Sequence, residues 1–306
     1  SLARTCSGIG DAIPTVLTMT VVPILGAGSS MADYRIGFKW WALIIAVVFV
    51  ISELVCVACV PERPVACDEK PGKISDMFKA LFKNDQAMTV VVSIILVYTS
   101  LNICGNLVLY FFRFDVGNEG AYSIFAAVAF AAQVLVMMVI PLLRKRFSKS
   151  QLFISGFVIQ IAGFAVILIM AFAKLYTPQS WYILCLPGIL IYLGYGMLNV
   201  IMTIFLSDSV DYGEVMNGTR EESVIFSMQT FTVKLASGVA VFLAGLVVDW
   251  IHLDTAAAVQ TQDTLDALRM WMTIPSVILL IVGIFVFKRF YKLDDTRMEE
   301  IKSKLN

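Results

Sequence analysis

The sequence predicts an all-α integral membrane protein. Three observations carry that reading: 59% of its 306 residues are hydrophobic and only 15% charged, mean hydropathy is +0.83, and the apolar residues gather into long runs. A soluble domain holds about a quarter charged residues, and a helix needs roughly 20 apolar residues to cross the hydrocarbon core. Formal net charge is zero, so no basic field points to nucleic acid.

Apolar runs of spanning length lie near 9–27, 40–60, 87–112, 120–143, 151–173, 181–206, 223–248 and 270–288, which predicts eight spans. Their connections are short except for 61–86. That stretch carries Pro61, Pro64, Pro71 and Gly72, then the amphipathic ISDMFKALFKN at 74–84, and reads as a linker between two bundles. If the spans alternate, seventeen Lys and Arg fall on one face and five on the other, with Lys234 inside a span. The positive-inside rule makes the richer face cytoplasmic and puts both termini of this chain there. Ser1 is not an initiator Met, and no charged n-region or cleavage site precedes the first run, so the expectation is a chain that lacks its beginning.

Cys6, Cys56, Cys59, Cys67, Cys104 and Cys185 are scattered and mostly apolar in setting, where a thiol acts as a small hydrophobe. Cys56 and Cys59 form C-x-x-C on an apolar helix, which reads as packing rather than redox chemistry. His252 is the single histidine and cannot build a metal site alone. With no histidine cluster, nucleophile elbow or phosphate loop, the sequence does not read as an enzyme, and it implies no cofactor.

Lys234 is the most informative residue. An ammonium at mid-bilayer costs roughly 2.5 to 3.5 kcal/mol on insertion scales, so it is kept where it meets protein, water or a polar ligand. Thr230, Val233, Lys234 and Ser237 recur at i, i+3, i+4 and i+7 and share one helix face, with Gln229 at its edge. Such a face can line a cavity and makes Lys234 a candidate substrate-site residue; alternatively, Lys234 pairs with a carboxylate on a neighbouring helix. Asn102, Asn106 and Tyr110 form a second polar stripe at fourfold spacing, open to a cavity role or to interhelical hydrogen bonds. Glu53 sits within the second run, as a cation ligand or a partner of another polar group. Asn217-Gly218-Thr219 has the form of a glycosylation acceptor but reads as a turn.

The fixed order DSVDYGE (208–214), TREES (219–223) and QTFTVK (229–234), with LYFFRFDVGN (109–118) and VVPILGAG (21–28), resembles the glycoside-pentoside-hexuronide:cation symporters. These are the melibiose permease-like transporters of the major facilitator superfamily. The resemblance covers nearly the whole chain. It implies that the eight spans are family helices five to twelve, with the first four helices missing. Residues 1–60 would then be the last two helices of the N-terminal bundle, 61–86 the cytoplasmic linker, 87–290 a six-helix C-terminal bundle and 291–306 a cytoplasmic tail.

The resemblance further implies a Na+- or H+-coupled symporter of a sugar, glycoside or glucuronide in the bacterial cytoplasmic membrane, working by alternating access as a monomer. It places Gln229, Thr230, Val233 and Lys234 at the sugar site, with Arg4 by position; Asn106 and Tyr110 are expected to face the same cavity. Asn199 stands where the melibiose-type pattern has a tryptophan. Asp208, Asp211, Glu214, Arg220 and Glu222 are placed by the resemblance at the cytoplasmic ends of family helices ten and eleven, and are expected either as a solvated loop or as a cytoplasmic gate. Arg144, Lys145 or Arg146 are the expected partners of that gate. No metal ligands are expected here, because the family's cation carboxylates lie on the earlier helices. A second reading is a transporter-like membrane sensor that binds a sugar or lipid without moving it.

Overall fold

The computed structural model describes residues 10, 13–14, 17–18, 20–28, 31–59, 82–218, 222–255, 257 and 259–305. Every regular element among them is helical: α1 (Met31–Cys59), α2 (Asp85–Tyr110), α3 (Ala121–Leu143), α4 (Lys149–Phe172), α5 (Cys185–Asn217), α6 (Glu222–Trp250), α7 (Gln262–Phe290) and α8 (Asp295–Leu305). Among the described residues seven helices are long and apolar enough to cross a membrane. The first expected span, 9–27, lies partly outside the described residues, and so does nearly all of the linker.

The helices begin where the sequence offers a cap. Asn84 Oδ1 accepts from the Ala87 N–H at the start of α2. Ser148 and Gln151 form a reciprocal capping box at the start of α4, and Thr261 caps α7. Each satisfies N–H groups that the first turn leaves unpaired. α5 runs on to Asn217 and stops at Gly218, whose φ of 73° is open to glycine without a Cβ penalty.

Three helix boundaries differ from the apolar runs. α7 begins at Gln262 rather than near 270. DSVDYGEVMN forms the last turns of α5, the helix end that the resemblance implies, and not a solvated loop. α1 begins at Met31 rather than near 40, taking in Arg35 and Lys39. In each case charged residues occupy helical turns beyond the apolar run.

α2 is central, packing against α5, α6 and α7, while α5 also packs against α3, α4 and α8. Glycines set the closest approach, between α4 and α5. A Cβ on Gly194 would lie 2.5 Å from the Gly156 carbonyl oxygen, and one on Gly163 would lie 2.8 Å from the Ile191 nitrogen. Small residues are how helices in lipid gain dispersion contact. α2 and α7 are tied by a reciprocal pair: Ser276 Oγ donates to the Ser100 carbonyl at 2.8 Å and Ser100 Oγ to the Ser276 carbonyl at 3.1 Å. Phe153, Phe205, Phe287 and Tyr291 stack where α4, α5 and α7 converge.

α8 is amphipathic and lays Met298 and Ile301, with Leu293 before it, against Tyr212 and Val215 of α5. α1 is exposed along its apolar run. Glu53, expected to face a bundle interior or pair there, lies on that exposed stretch.

The glycine contacts predict opposite signs for two similar substitutions. Gly194→Ala should destabilise the bundle by about 1 to 3 kcal/mol through overpacking, whereas Gly238→Ala, with no heavy atom within 4 Å, should be neutral or stabilising by up to about 1 kcal/mol through helix propensity. Thermal unfolding of the two variants in detergent reads both.

Candidate functional site

α2, α3, α5 and α6 enclose a cavity of about 690 Å³, within the size range of small-molecule sites. Helical spacing explains who faces it. Tyr98, Asn102 and Asn106 come from one face of α2; Tyr122, Phe130, Gln133 and Met137 from α3; Tyr192, Tyr195 and Asn199 from α5; and Gln229, Thr230, Val233, Lys234 and Ser237 from α6. The structure thus brings the expected Gln229, Thr230, Val233, Lys234, Asn106 and Asn199 to one space. Tyr110 is not among them. It lies nearly a helical turn further on, beside a second cavity of about 560 Å³ that it shares with Asn106 and Asp249. Arg4 lies outside the described residues.

The polar lining is part anchored and part open. Asn102 and Asn106 donate from Nδ2 to the carbonyls one turn back, of Tyr98 and Asn102, each at 2.7 Å. Ser237 Oγ on α6 donates to Asn102 Oδ1 at 3.4 Å, joining the two stripes. Asn199 donates to the Tyr98 hydroxyl at 2.7 Å and to the Tyr195 hydroxyl at 3.4 Å. The two tyrosine rings meet edge to face at 5.5 Å. Asn199 therefore positions phenols in the wall and does not itself replace the aromatic face of a tryptophan.

No carboxylate among the described residues pairs with Lys234, which is exposed to the cavity. The alternative of a structural ion pair thus has no partner among these residues. Aromatic rings beside amides, hydroxyls and one ammonium form a wall that can hold a polyhydroxylated molecule. Gln133 escaped the sequence reading because it is a lone polar residue in an apolar run, and the tyrosines because nothing local shows which way they face. Only their helical register relative to α6 could have selected them.

At the basic end of the bundle, Lys149 Nζ pairs with Asp208, both almost fully buried. Lys149 also lies 3.5 Å from Asp295 Oδ1, which Arg144 Nη2 meets at 3.3 Å. The expected partnership of the α5 carboxylates with Arg144, Lys145 or Arg146 is corrected for Asp208. Lys149 takes it, since the Ser148 capping box starts α4 there and turns its first side chain toward α5, while Arg144 is engaged by Asp295. Asp211 and Glu214 sit on the last turns of α5 and Glu222 on the first turn of α6; Arg220 lies outside the described residues. Burial works to raise the Asp295 pKa, but Arg144 and Lys149 outweigh it and hold the carboxyl below its ordinary value.

The opposite end holds a network the sequence reading missed. Arg269, counted there as a loop cation, lies within α7 and is 3% exposed. It grips Asp115 through Nη2 and through Nε at 2.8 Å, and Asp266 at 2.7 Å. The Tyr176 hydroxyl donates to Asp115 at 2.6 Å. A π-helical turn, Phe111–Asp115, closes α2 and carries Asp115 into that position.

The comparisons fit this geometry. The family model for MFS/sugar transport proteins matches residues 3–295. The chain belongs to the MFS/sugar transport protein family. It is similar to the raffinose carrier protein of Pediococcus pentosaceus, at 24% identity over 100% of this chain and 47% of the relative. Similarity to the isoprimeverose transporter of Lactiplantibacillus pentosus is 25%, over 94% and 58%. To the lactose permease of Lactobacillus delbrueckii subsp. bulgaricus it is 23%, over 100% and 48%. The chain spans about half the length of the curated relatives it matches. MFS/sugar transport proteins and these relatives are transporters, not enzymes.

Two outcomes follow for the basic end. Lys149→Met should destabilise the protein by about 3 to 5 kcal/mol, because it leaves Asp208 buried and unpaired, while Lys149→Met with Asp208→Leu should recover most of the loss; thermal melting of both reads it. The Asp295 contribution, with its folded pKa lowered, is complete above the ordinary value of 3.8 and is lost as pH falls through the lowered one. Protease release of α8 should therefore begin only in acid for the unaltered protein, and at neutral pH for Asp295→Asn.

Proposed function

We propose that the protein imports a sugar or glycoside across a bacterial cytoplasmic membrane, coupled to Na+ or H+, and that this chain supplies one wall of the substrate site. The observation that carries the reading is Lys234. It stands with Gln229, Thr230 and Val233 on a cavity lined by amides and aromatic rings, without a carboxylate partner among the described residues. Membership of the MFS/sugar transport protein family and relatives named as raffinose, isoprimeverose and lactose carriers support it.

In this mechanism the ammonium of Lys234 and the amide of Gln229 donate to substrate oxygens, the Thr230 hydroxyl donates or accepts, and the rings of Tyr98, Tyr122, Tyr192 and Tyr195 cover the apolar C–H faces. No covalent step occurs. Transport follows if the complex carrying both cation and sugar exchanges between inward- and outward-open states more readily than the singly bound forms. The carboxylates that hold the cation belong, on the family resemblance, to helices outside this chain.

The basic end is the cytoplasmic side in this proposal, as the charge asymmetry indicates. Asp211, Glu214, Arg220 and Glu222, at or near the ends of α5 and α6, would form contacts that close that side and break when it opens. Asp208 and Arg144 serve differently, since their partners Lys149 and Asp295 hold α4, α5 and α8 in one unit. The transporter acts as a monomer, each copy with its own site.

The test is binding and uptake of radiolabelled raffinose, lactose and isoprimeverose by the protein expressed from its full coding sequence and reconstituted in proteoliposomes. At least one should accumulate under an imposed Na+ or H+ gradient. Lys234→Ala should weaken binding of that sugar by roughly 10- to 100-fold, as expected for a hydrogen bond to a charged group, with insertion unchanged. Undiminished affinity would remove Lys234 from the site.

A further inference from the structure

We propose that Gln133 on α3 is a substrate-anchoring residue whose terminal amide binds two neighbouring hydroxyls of the transported sugar. The inference rests on the sugar-transport reading above and adds to it a contact on the wall formed by α3.

Four described residues hold a buried side-chain polar atom without a hydrogen-bond partner: Thr99, Gln133, Gln160 and Tyr291. Of these, Gln133 alone lines the 690 Å³ cavity. The residue is 5% exposed, and its Oε1 has no donor. A buried amide oxygen left unpaired costs about 1 to 3 kcal/mol, and the cavity it adjoins is the open side from which a partner can reach it. The group that would relieve it must enter through the cavity.

The position is built rather than incidental. α3 and α5 approach closely at Gly196, where an added Cβ would stand 3.0 Å from the Gln133 carbonyl oxygen and 3.2 Å from its Cγ. The bare glycine leaves room for the glutamine stem to lie along α5, so the amide is the part left to turn. Rotation about its last bond is soft and can present the oxygen, the nitrogen or both edges to the cavity.

Chemistry then selects the partner. An amide accepts at oxygen and donates at nitrogen, matching two adjacent hydroxyls, one donating and one accepting. Phe130, one turn earlier on α3, meets the Tyr192 ring edge to face at 5.1 Å. These rings give an apolar surface beside the amide, as a pyranose with a C–H face and a vicinal diol requires. A carboxylate or sulfonate would satisfy neither the empty acceptor nor the rings, so the class is a hydroxyl pair on a sugar ring.

The test uses the full-length protein in nanodiscs, with raffinose, lactose and isoprimeverose as probes and the monodeoxy analogues of whichever sugar binds. For that sugar, Gln133→Leu should lower affinity about tenfold. At least one deoxy analogue should bind the unaltered protein about tenfold more weakly than its parent, yet bind Gln133→Leu as well as the parent does. Such coupling between one hydroxyl and one side chain is not produced by a merely structural glutamine. If Gln133→Leu does not fold, Gln133→Ala replaces it, and an unaltered protein indifferent to every missing hydroxyl overturns the proposal without any variant. Equal affinity of variant and unaltered protein for the parent sugar also overturns it. If none of the three sugars binds the unaltered protein, the sugar reading itself fails and the Gln133 assignment falls with it.

Discussion

Inside a bilayer a polar group must find its partner in the protein, in a ligand or in enclosed water, and the bundle is arranged around that constraint. Ser100 and Ser276 exchange hydrogen bonds between α2 and α7. Asn102 and Asn106 turn their amides back on their own helix. Asp115 with Arg269, and Asp208 with Lys149, are buried as matched pairs. Against that background, two of the groups left without a match share one place. Lys234 and the Gln133 oxygen come from different helices, α6 and α3, and both belong to the wall of one cavity.

The two ionic networks lie at opposite ends of this bundle and leave its middle open. At one end α4, α5 and α8 share Lys149, Asp208 and Asp295. At the other, Asp115 from the π-helical turn after α2 meets Arg269 of α7 and Tyr176 from the connection before α5. Breaking one member of such a pair leaves a buried charge uncompensated, so each network resists relative motion of the helices it joins. A bundle stiffened at both ends moves as a unit, which is the behaviour that the proposed alternating access asks of it.

The fold was legible because the apolar runs mark four of the spans to within a few residues at both ends, and three others run on where charge adjoins helix. The Asp208 block shows why. Its side chains are polar, but its backbone continues the helix until Gly218, and hydropathy records the side chains only. The α6 face was legible from spacing, since four residues at i, i+3, i+4 and i+7 declare a shared direction. Lys149 was not chosen over Arg144 because the choice depends on where the Ser148 cap starts the helix. The pairing of Asp115 with Arg269 spans 154 residues, and no local pattern carries it. Gln133 is a single polar residue in an apolar stretch, and its direction, like that of the four tyrosines, depends on how α2, α3 and α5 are rotated against α6.

The departure at Asn199 shows how such a wall can be rebuilt. A tryptophan there would supply a ring directly; the asparagine instead donates to two phenols and holds them. Aromatic surface is supplied by several tyrosines on α2, α3 and α5, each ending in a hydroxyl that both donates and accepts. In the proposed function such a wall would grip through many modest contacts, with selectivity in the few groups whose hydrogen bonds the protein leaves unmade. The single ammonium of Lys234 then sets the remaining electrostatic demand. With no carboxylate beside it among the described residues, the ammonium is left to meet whatever enters the cavity, which is the demand on which the proposed function rests.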